Sequence, residues 1–143
     1  MTNNNKQTDI STRFDLDKLS GLFEKYLSVS IAYLFGSALT GVMHEESDID
    51  IAVLFDPKPD FFSRLELTNR LCDLLGQTVD LALLNDASPI FKMQVISKGK
   101  LIFCRNSKVN SYFVMRTVNE YDDLSYYRKI QEKNILKGRT FAG

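Results

Sequence analysis

Residues 33–55 read YLFGSALTGVMHEESDIDIAVLF: two apolar, β-prone runs flanking a polar stretch. A Gly-Ser pair closes the first run, and two aspartates interrupt the second. Strands deplete aspartate, yet Asp48 and Asp50 stand at i and i+2 and therefore share one face, while Ile49 and Ile51 bury the other. Such a row is either an ordinary half-exposed strand or a pair of carboxylates held in place for a cation.

Outward from this segment, helices and strands alternate. VSIAYLF (29–35) is β-branched and aromatic and stops at Gly36, which predicts the first strand. DIDIAVLF (48–55) is the second, closed by DPKPD, whose two prolines forbid its continuation. TVDLALL (78–84) and KLIFC (100–104) are the third and fourth. Before the first strand, Asp15 stands as N-cap to a helix carrying Leu16, Leu19, Phe23 and Leu27. Residues 61–77 form an amphipathic helix with Phe61, Leu65, Leu71, Leu74 and Leu75 inward and Gly76 near its end. Ser88, Pro89 and Gly99 frame a helix over 88–99. From Asn106 onward, Val114, Val118, Tyr121, Leu124, Tyr127 and Ile130 recur every three or four residues, predicting a long C-terminal helix. Its end is basic, with Arg128, Lys129, Lys133, Lys137 and Arg139. The pattern is that of one layered α/β domain over 15–143, preceded by a flexible polar arm over 1–14.

A chain of 143 residues with 44% apolar and 25% charged content is long enough to bury a core without staples. Eighteen basic residues balance eighteen acidic ones, so the electrostatic footprint of a protein built primarily to grip nucleic acid is missing. No run approaches the roughly 18 apolar residues of a membrane span, and the N-terminus carries no apolar signal core. Cys72 and Cys104 belong to no metal or redox spacing and read as packed thiols of a reducing compartment. A cytoplasmic location is expected.

Asp80 interrupts TVDLALL as Asp48 and Asp50 interrupt the second strand, with Val79, Leu81 and Leu83 forming the opposite row. If the two strands are neighbours, three carboxylates converge, and unpaired carboxylates that close raise one another's pKa. A divalent cation resolves the conflict. One or two Mg²⁺ ions suit oxygen ligands that leave room for waters and phosphate oxygens. Gly36-Ser37 supplies the other half: a strand-to-helix turn exposes backbone N–H groups, the glycine lets a phosphate approach, and the Ser37 hydroxyl adds a donor. Together they predict a nucleoside triphosphate–Mg²⁺ site. Four other features read as structural. His44 is a solvated loop residue, Lys98-Gly99-Lys100 a helix C-terminus, Asp56 and Asp60 turn residues beside prolines, and Ser47 part of the strand entry.

Gly36-Ser37, ten intervening residues, Asp48-Ile49-Asp50 and the later aspartate of a VDL strand resemble the signature of DNA polymerase β-like nucleotidyltransferases. The short length, with SDIDIAVLF followed by VDLALLNDASPIFKMQVISKGKLIF, resembles the minimal nucleotidyltransferase (MNT) group over residues 15–137. The resemblance implies a mixed sheet of four or so strands flanked by helices, with the site at its open edge. It implies that Gly36 and Ser37 hold the triphosphate of ATP and that Asp48 and Asp50 hold the metals. Asp80 would complete the metal site and assist deprotonation of the incoming hydroxyl. Members of this size sit beside a small all-helical HEPN ribonuclease toxin and silence it by transferring AMP to one of its tyrosines. A HEPN toxin is thus the implied partner, in a hetero-oligomer. One departure stands out: where relatives carry an R-x-R-G pattern, this chain has Ala38 and Thr40 and keeps only Gly41, which should weaken triphosphate binding.

The acceptor follows less directly. Little chain is left for a sugar pocket or an RNA-binding module, so a docking protein is the simplest acceptor. The C-terminal helix, with Tyr121, Tyr126, Tyr127 and its basic end, offers a docking surface, although its apolar row equally predicts packing on the sheet. Two further readings stand beside protein adenylylation. The acceptor is a small hydroxylated molecule such as an aminoglycoside, or the protein is a non-catalytic antitoxin that neutralises by binding.

Overall fold

A computed structural model describes residues 15–36 and 48–142, with side chains through residue 135. The arm expected over 1–14 lies outside the described residues, as do Ser37, Ala38, Thr40, Gly41, His44 and Ser47. The chain forms helix α1 (Leu16–Lys25), strands β1 (Val29–Phe35) and β2 (Ile49–Phe55), helix α2 (Phe61–Leu75) and strand β3 (Val79–Leu83). A 3-10 turn (Leu84–Asp86), helix α3 (Pro89–Lys98), strand β4 (Lys100–Cys104) and helix α4 (Ser107–Ala142) follow. Helix starts are capped by side chains that accept otherwise unpaired N–H groups: Asp15 from Lys18 at 3.1 Å, and Ser88 from Phe91 at 3.2 Å. Asp60, read from sequence as a turn residue, is the N-cap of α2, accepting the Ser63 N–H at 2.7 Å. Gly99 ends α3 by donating to the Val95 carbonyl at 2.7 Å, so the Lys98-Gly99-Lys100 run is the helix end expected of it.

The sheet is mixed, in the order β3-β2-β1-β4. β1 runs antiparallel to β2 and β4, and β2 runs parallel to β3. Alternation along the strands feeds two cores. Ile49, Ile51, Val53, Val79 and Leu81 pack with Leu19 and Phe23 of α1 and Leu67 and Leu71 of α2. On the other face Ile31, Tyr33, Ala52 and Leu84 meet Val95 of α3 and Phe113 of α4. Each fully buried Leu, Ile or Phe contributes about 1.5–3 kcal/mol. Arg105, unremarked in the sequence, pins the first core: it donates to the carbonyls of Val29, Phe23 and Tyr26 while its guanidinium lies over the Phe103 ring.

Two apolar rows differ from expectation. In α2, Phe61 and Leu65 are exposed and Leu67 with Leu71 faces the sheet. At 100° per residue, Phe61 and Leu65 stand roughly 120° and 160° round the helix from Leu67, so only the 67–71 line reaches the strands. Leu74, expected inward, is partly exposed on the rim of a groove between α1 and α2. Leu27, 80% exposed, lies beyond α1, which ends at Lys25. In α4, Phe113 and Thr117 are buried and Val114, Val118, Tyr121 and Leu124 half-buried, but Tyr127 and Ile130 face solvent. A helix of 36 residues runs about 54 Å at 1.5 Å per residue and outreaches the short strands beneath it. Among the described residues no helix is long and apolar enough to cross a membrane.

Candidate active site

β2 enters the sheet directly after Asp48. The N–H of Ile49 donates to the Thr78 carbonyl at 2.9 Å, opening the parallel ladder in which Asp50 is the register partner of Asp80. On its other side Asp50 partners Phe35, the last residue of β1. Gly36 therefore follows at the same end of the sheet, with φ 82°, a conformation that L side chains rarely adopt. A Cβ on residue 36 would overlap the Asp50 Oδ2 atom, so this glycine is required twice over: by its backbone and by the carboxylate beside it. The glycine, Asp50 and Asp80 are brought together as the sequence reading expected, with Asp48 one residue before the strand. Ser37 lies outside the described residues.

Asp50 alternates with Ala52 and Leu54, and Asp80 with Ala82 and Leu84, so both carboxylates belong to the face shared with α3 and α4. Asp50 is half-buried, and Asp48 and Asp80 are exposed. Burial, then the charge of Asp80, then that of Asp48, push the Asp50 pKa above its ordinary value. Among the described residues none of the three is ion-paired to a Lys or Arg; the four ion pairs lie elsewhere. An Asp50 carboxylate crowded by the charges of Asp80 and Asp48, with no Lys or Arg paired to it among the described residues, fits a divalent metal. No three acidic, His or Cys side chains among the described residues stand close enough to enclose an ion unaided. Asp50 and Asp80 are the paired carboxylates, and Mg²⁺ is usually held by one or two carboxylates and keeps its other positions for water and substrate phosphates.

The sequence reading passed over a second polar group on this face. Lys92 of α3 donates to Glu120 of α4 at 2.8 Å, and Arg116 reaches the same carboxylate at 3.3 Å. With Leu54, Leu84, Asn85 and Tyr112 they line a cleft of about 330 Å³. Asn85 also clamps β2, accepting from the Phe55 N–H at 3.0 Å and donating to its carbonyl at 2.8 Å. Arg116 and Glu120 stand at i and i+4 on α4, a pair legible in the sequence, whereas Lys92 comes from α3 and meets them only when the two helices dock.

Residues 17–108 match the model of the family described as polymerase beta, nucleotidyltransferase. The chain belongs to the polymerase β nucleotidyltransferase family. This nucleotidyltransferase is 36% identical, over 101 residues, to the protein adenylyltransferase MntA of Shewanella oneidensis, a match covering 71% of this chain and 72% of that one. Its fold is similar to a chain in a toxin–antitoxin crystal structure with AMP-PNP, at a TM-score of 0.72 and 31% identity over 86% of this chain and 99% of that one. It is similar also to a chain in the structure of tri-AMPylated Shewanella oneidensis HEPN toxin in complex with MNT antitoxin. There the TM-score is 0.67 and the identity 28%, over 89% of this chain and 98% of that one. The mixed sheet with its flanking helices is thus the nucleotidyltransferase fold that the MNT resemblance implied.

Proposed function

We propose that this nucleotidyltransferase is a Mg²⁺-dependent protein adenylyltransferase that moves AMP from ATP onto a tyrosine hydroxyl of a HEPN toxin and thereby neutralises it in the cytoplasm. The observation that carries the reading is the direct pairing of Asp50 with Asp80 beside Gly36, without a protein cation to balance them among the described residues. The similarity to the MntA adenylyltransferase and to chains from complexes with AMP-PNP and with an AMPylated HEPN toxin supports the donor and the acceptor class.

In this reading Gly36 and Ser37 hold the triphosphate, and Asp48, Asp50 and Asp80 hold one or two Mg²⁺ ions. Bound there, the metal would neutralise phosphate charge and make an acceptor hydroxyl more acidic. Asp80, at the open end of β3, takes part in removing the acceptor proton. The tyrosine oxygen bonds to the α-phosphorus, the bond from that phosphorus to the bridging oxygen breaks, and pyrophosphate leaves. Catalysis comes chiefly from positioning and charge neutralisation.

The test is co-expression with a HEPN toxin and intact-mass spectrometry of the toxin, using wild type and the Asp48→Asn/Asp50→Asn double variant. A toxin heavier by whole AMP units with wild type alone is the expected result. An unmodified toxin that still co-purifies would replace this reading with neutralisation by binding, which the loss of basic residues at Ala38 and Thr40 favours. A toxin neither modified nor bound would turn the search to small hydroxylated acceptors.

A further inference from the structure

Past Glu120, α4 shows solvent a face that no described part of the fold covers. Tyr121, Leu124 and Ser125 are half-buried, whereas Asp122, Asp123 and residues 126–135 are exposed. Tyr126 and Tyr127 are each 64% exposed, their rings edge to face with centroids 6.2 Å apart. On a helix, residues at i, i+4, i+7 and i+11 share a side. Asp122, Tyr126, Lys129 and Lys133 therefore form one column, and Asp123, Tyr127, Ile130 and Asn134 the column beside it. The face has an apolar centre, an acidic N-terminal end and a basic C-terminal end. A shallow hollow runs along it, lined by Tyr126, Lys129, Ile130, Glu132 and Lys133, so the basic end carries one acid among its lysines.

Turned end over end, a surface with this layout is its own complement. We propose that the face pairs antiparallel with the same face of a second copy of this chain, about a two-fold axis near Tyr126 and Tyr127. Tyr126 and Tyr127 of the two copies then cover one another, and Asp122 of each copy falls between Lys129 and Lys133 of the other. A two-fold interface repeats each contact, so the charge match occurs at both ends. Asp122 and Lys129, seven residues apart, lie on the same flank, and a two-fold axis perpendicular to the helix pair keeps flanks matched. Parallel pairing would instead set acid against acid and base against base. Twelve residues span about 18 Å, a narrow strip of contact beside the broad surfaces of permanent complexes. The dimer is therefore concentration-dependent, and salt weakens it.

Sedimentation equilibrium of the full chain at low salt tests this. The expected result is a rise towards twice the monomer mass across a concentration series. Asp122→Lys/Asp123→Lys makes both ends of the face basic, and Lys129→Asp/Lys133→Asp makes both acidic. Each variant alone should self-associate at least tenfold more weakly than wild type, and an equimolar mixture should recover a heterodimer. Tyr126→Cys, beside the axis, should cross-link to a dimer under mild oxidation, a readout independent of the charge variants. A wild type that stays monomeric, or a dimer indifferent to both reversals, overturns the proposal. So does a face whose reversal abolishes binding of a HEPN toxin while wild type alone remains monomeric, which would assign the surface to the toxin.

Discussion

The Asp50 carboxylate stands where a side chain on residue 36 would have to go. A Cβ built at Gly36 would overlap Asp50 Oδ2 and come within 3.1 Å of its Cγ. The contact arises because Phe35 and Asp50 are register partners across β1 and β2, so the turn out of β1 begins beside the acidic strand. The two elements predicted separately from sequence, a glycine turn and an acidic strand, are therefore one interlocked unit.

Gly36→Ala should accordingly damage both stability and transfer. The positive φ alone costs an alanine about 1 kcal/mol, roughly 3 °C in Tm for a chain of this size, and the displaced Asp50 carboxylate adds to it. A thermal melt and a toxin-adenylylation rate at least tenfold below wild type are the measurements. An unchanged rate would separate Asp50 from the chemistry.

Asp50→Asn separates activity from stability. Transfer should fall by about 10²–10³-fold, as when one preorganised electrostatic group is removed from an active site, while Tm at neutral pH without metal should hold or rise. The sign follows from linkage. Asp50 has a raised pKa in the fold, so the folded state favours its protonated form. Its contribution is most favourable below the ordinary carboxylate range and is lost as pH rises through the raised value. The asparagine has no charge to form. Melts of both proteins across acid and neutral pH, without metal, would show their difference growing with pH.

Asp80→Asn tests the pairing itself. Burial is the largest cause of the raised Asp50 pKa and the Asp80 charge the second. The substitution should therefore lower the Asp50 pKa without returning it to the ordinary carboxylate value. A carboxyl ¹³C titration of the metal-free protein reads this directly, and an Asp50 midpoint that does not move would contradict the Asp50–Asp80 register.

The Lys92–Glu120 pair should matter to α3–α4 docking and only modestly to overall stability. With side-chain exposures of 14% and 34%, solvent screens much of the attraction, and Lys92→Ala should cost about 0.5–1 kcal/mol. The hydrogen bond from Lys92 is the main cause of the lowered Glu120 pKa. The pair's contribution is then present above the ordinary carboxylate range and lost as pH falls through the lowered value. Denaturant melts at neutral and acid pH should show the penalty of Lys92→Ala shrinking as the solution becomes acidic.

Short-range signals carried most of the reading. Asp15 and Ser88 cap helices where their spacing placed them, Gly76 and Gly99 end α2 and α3, and Ile49 and Ile51 are buried while Asp50 points to the other face. The errors came where more than one face was available. Phe61 and Leu65 are as apolar as Leu67 and Leu71, and only the placement of α2 over the sheet selects between them. Tyr127 and Ile130 continue the α4 apolar row in sequence but leave the body in space. Asp60 sits among prolines as a turn residue would, and its capping role needs the helix that follows.

By itself the chain's order of residues determined the strands, the starts of α1 and α3, the ends of α2 and α3, the Gly36 turn and the presence of acidic rows. Each depends on alternation, capping or backbone preference over a few residues. Tertiary structure decided that Asp50 stands opposite Asp80. A parallel pair separated by a whole helix takes its register from the surfaces it packs against, and a slip of one residue would turn Asp80 to the opposite face. It also joined Lys92 to Glu120 and left Tyr126 and Tyr127 uncovered. Those relationships depend on distances between elements far apart in sequence, which only the packed sheet and its helices set.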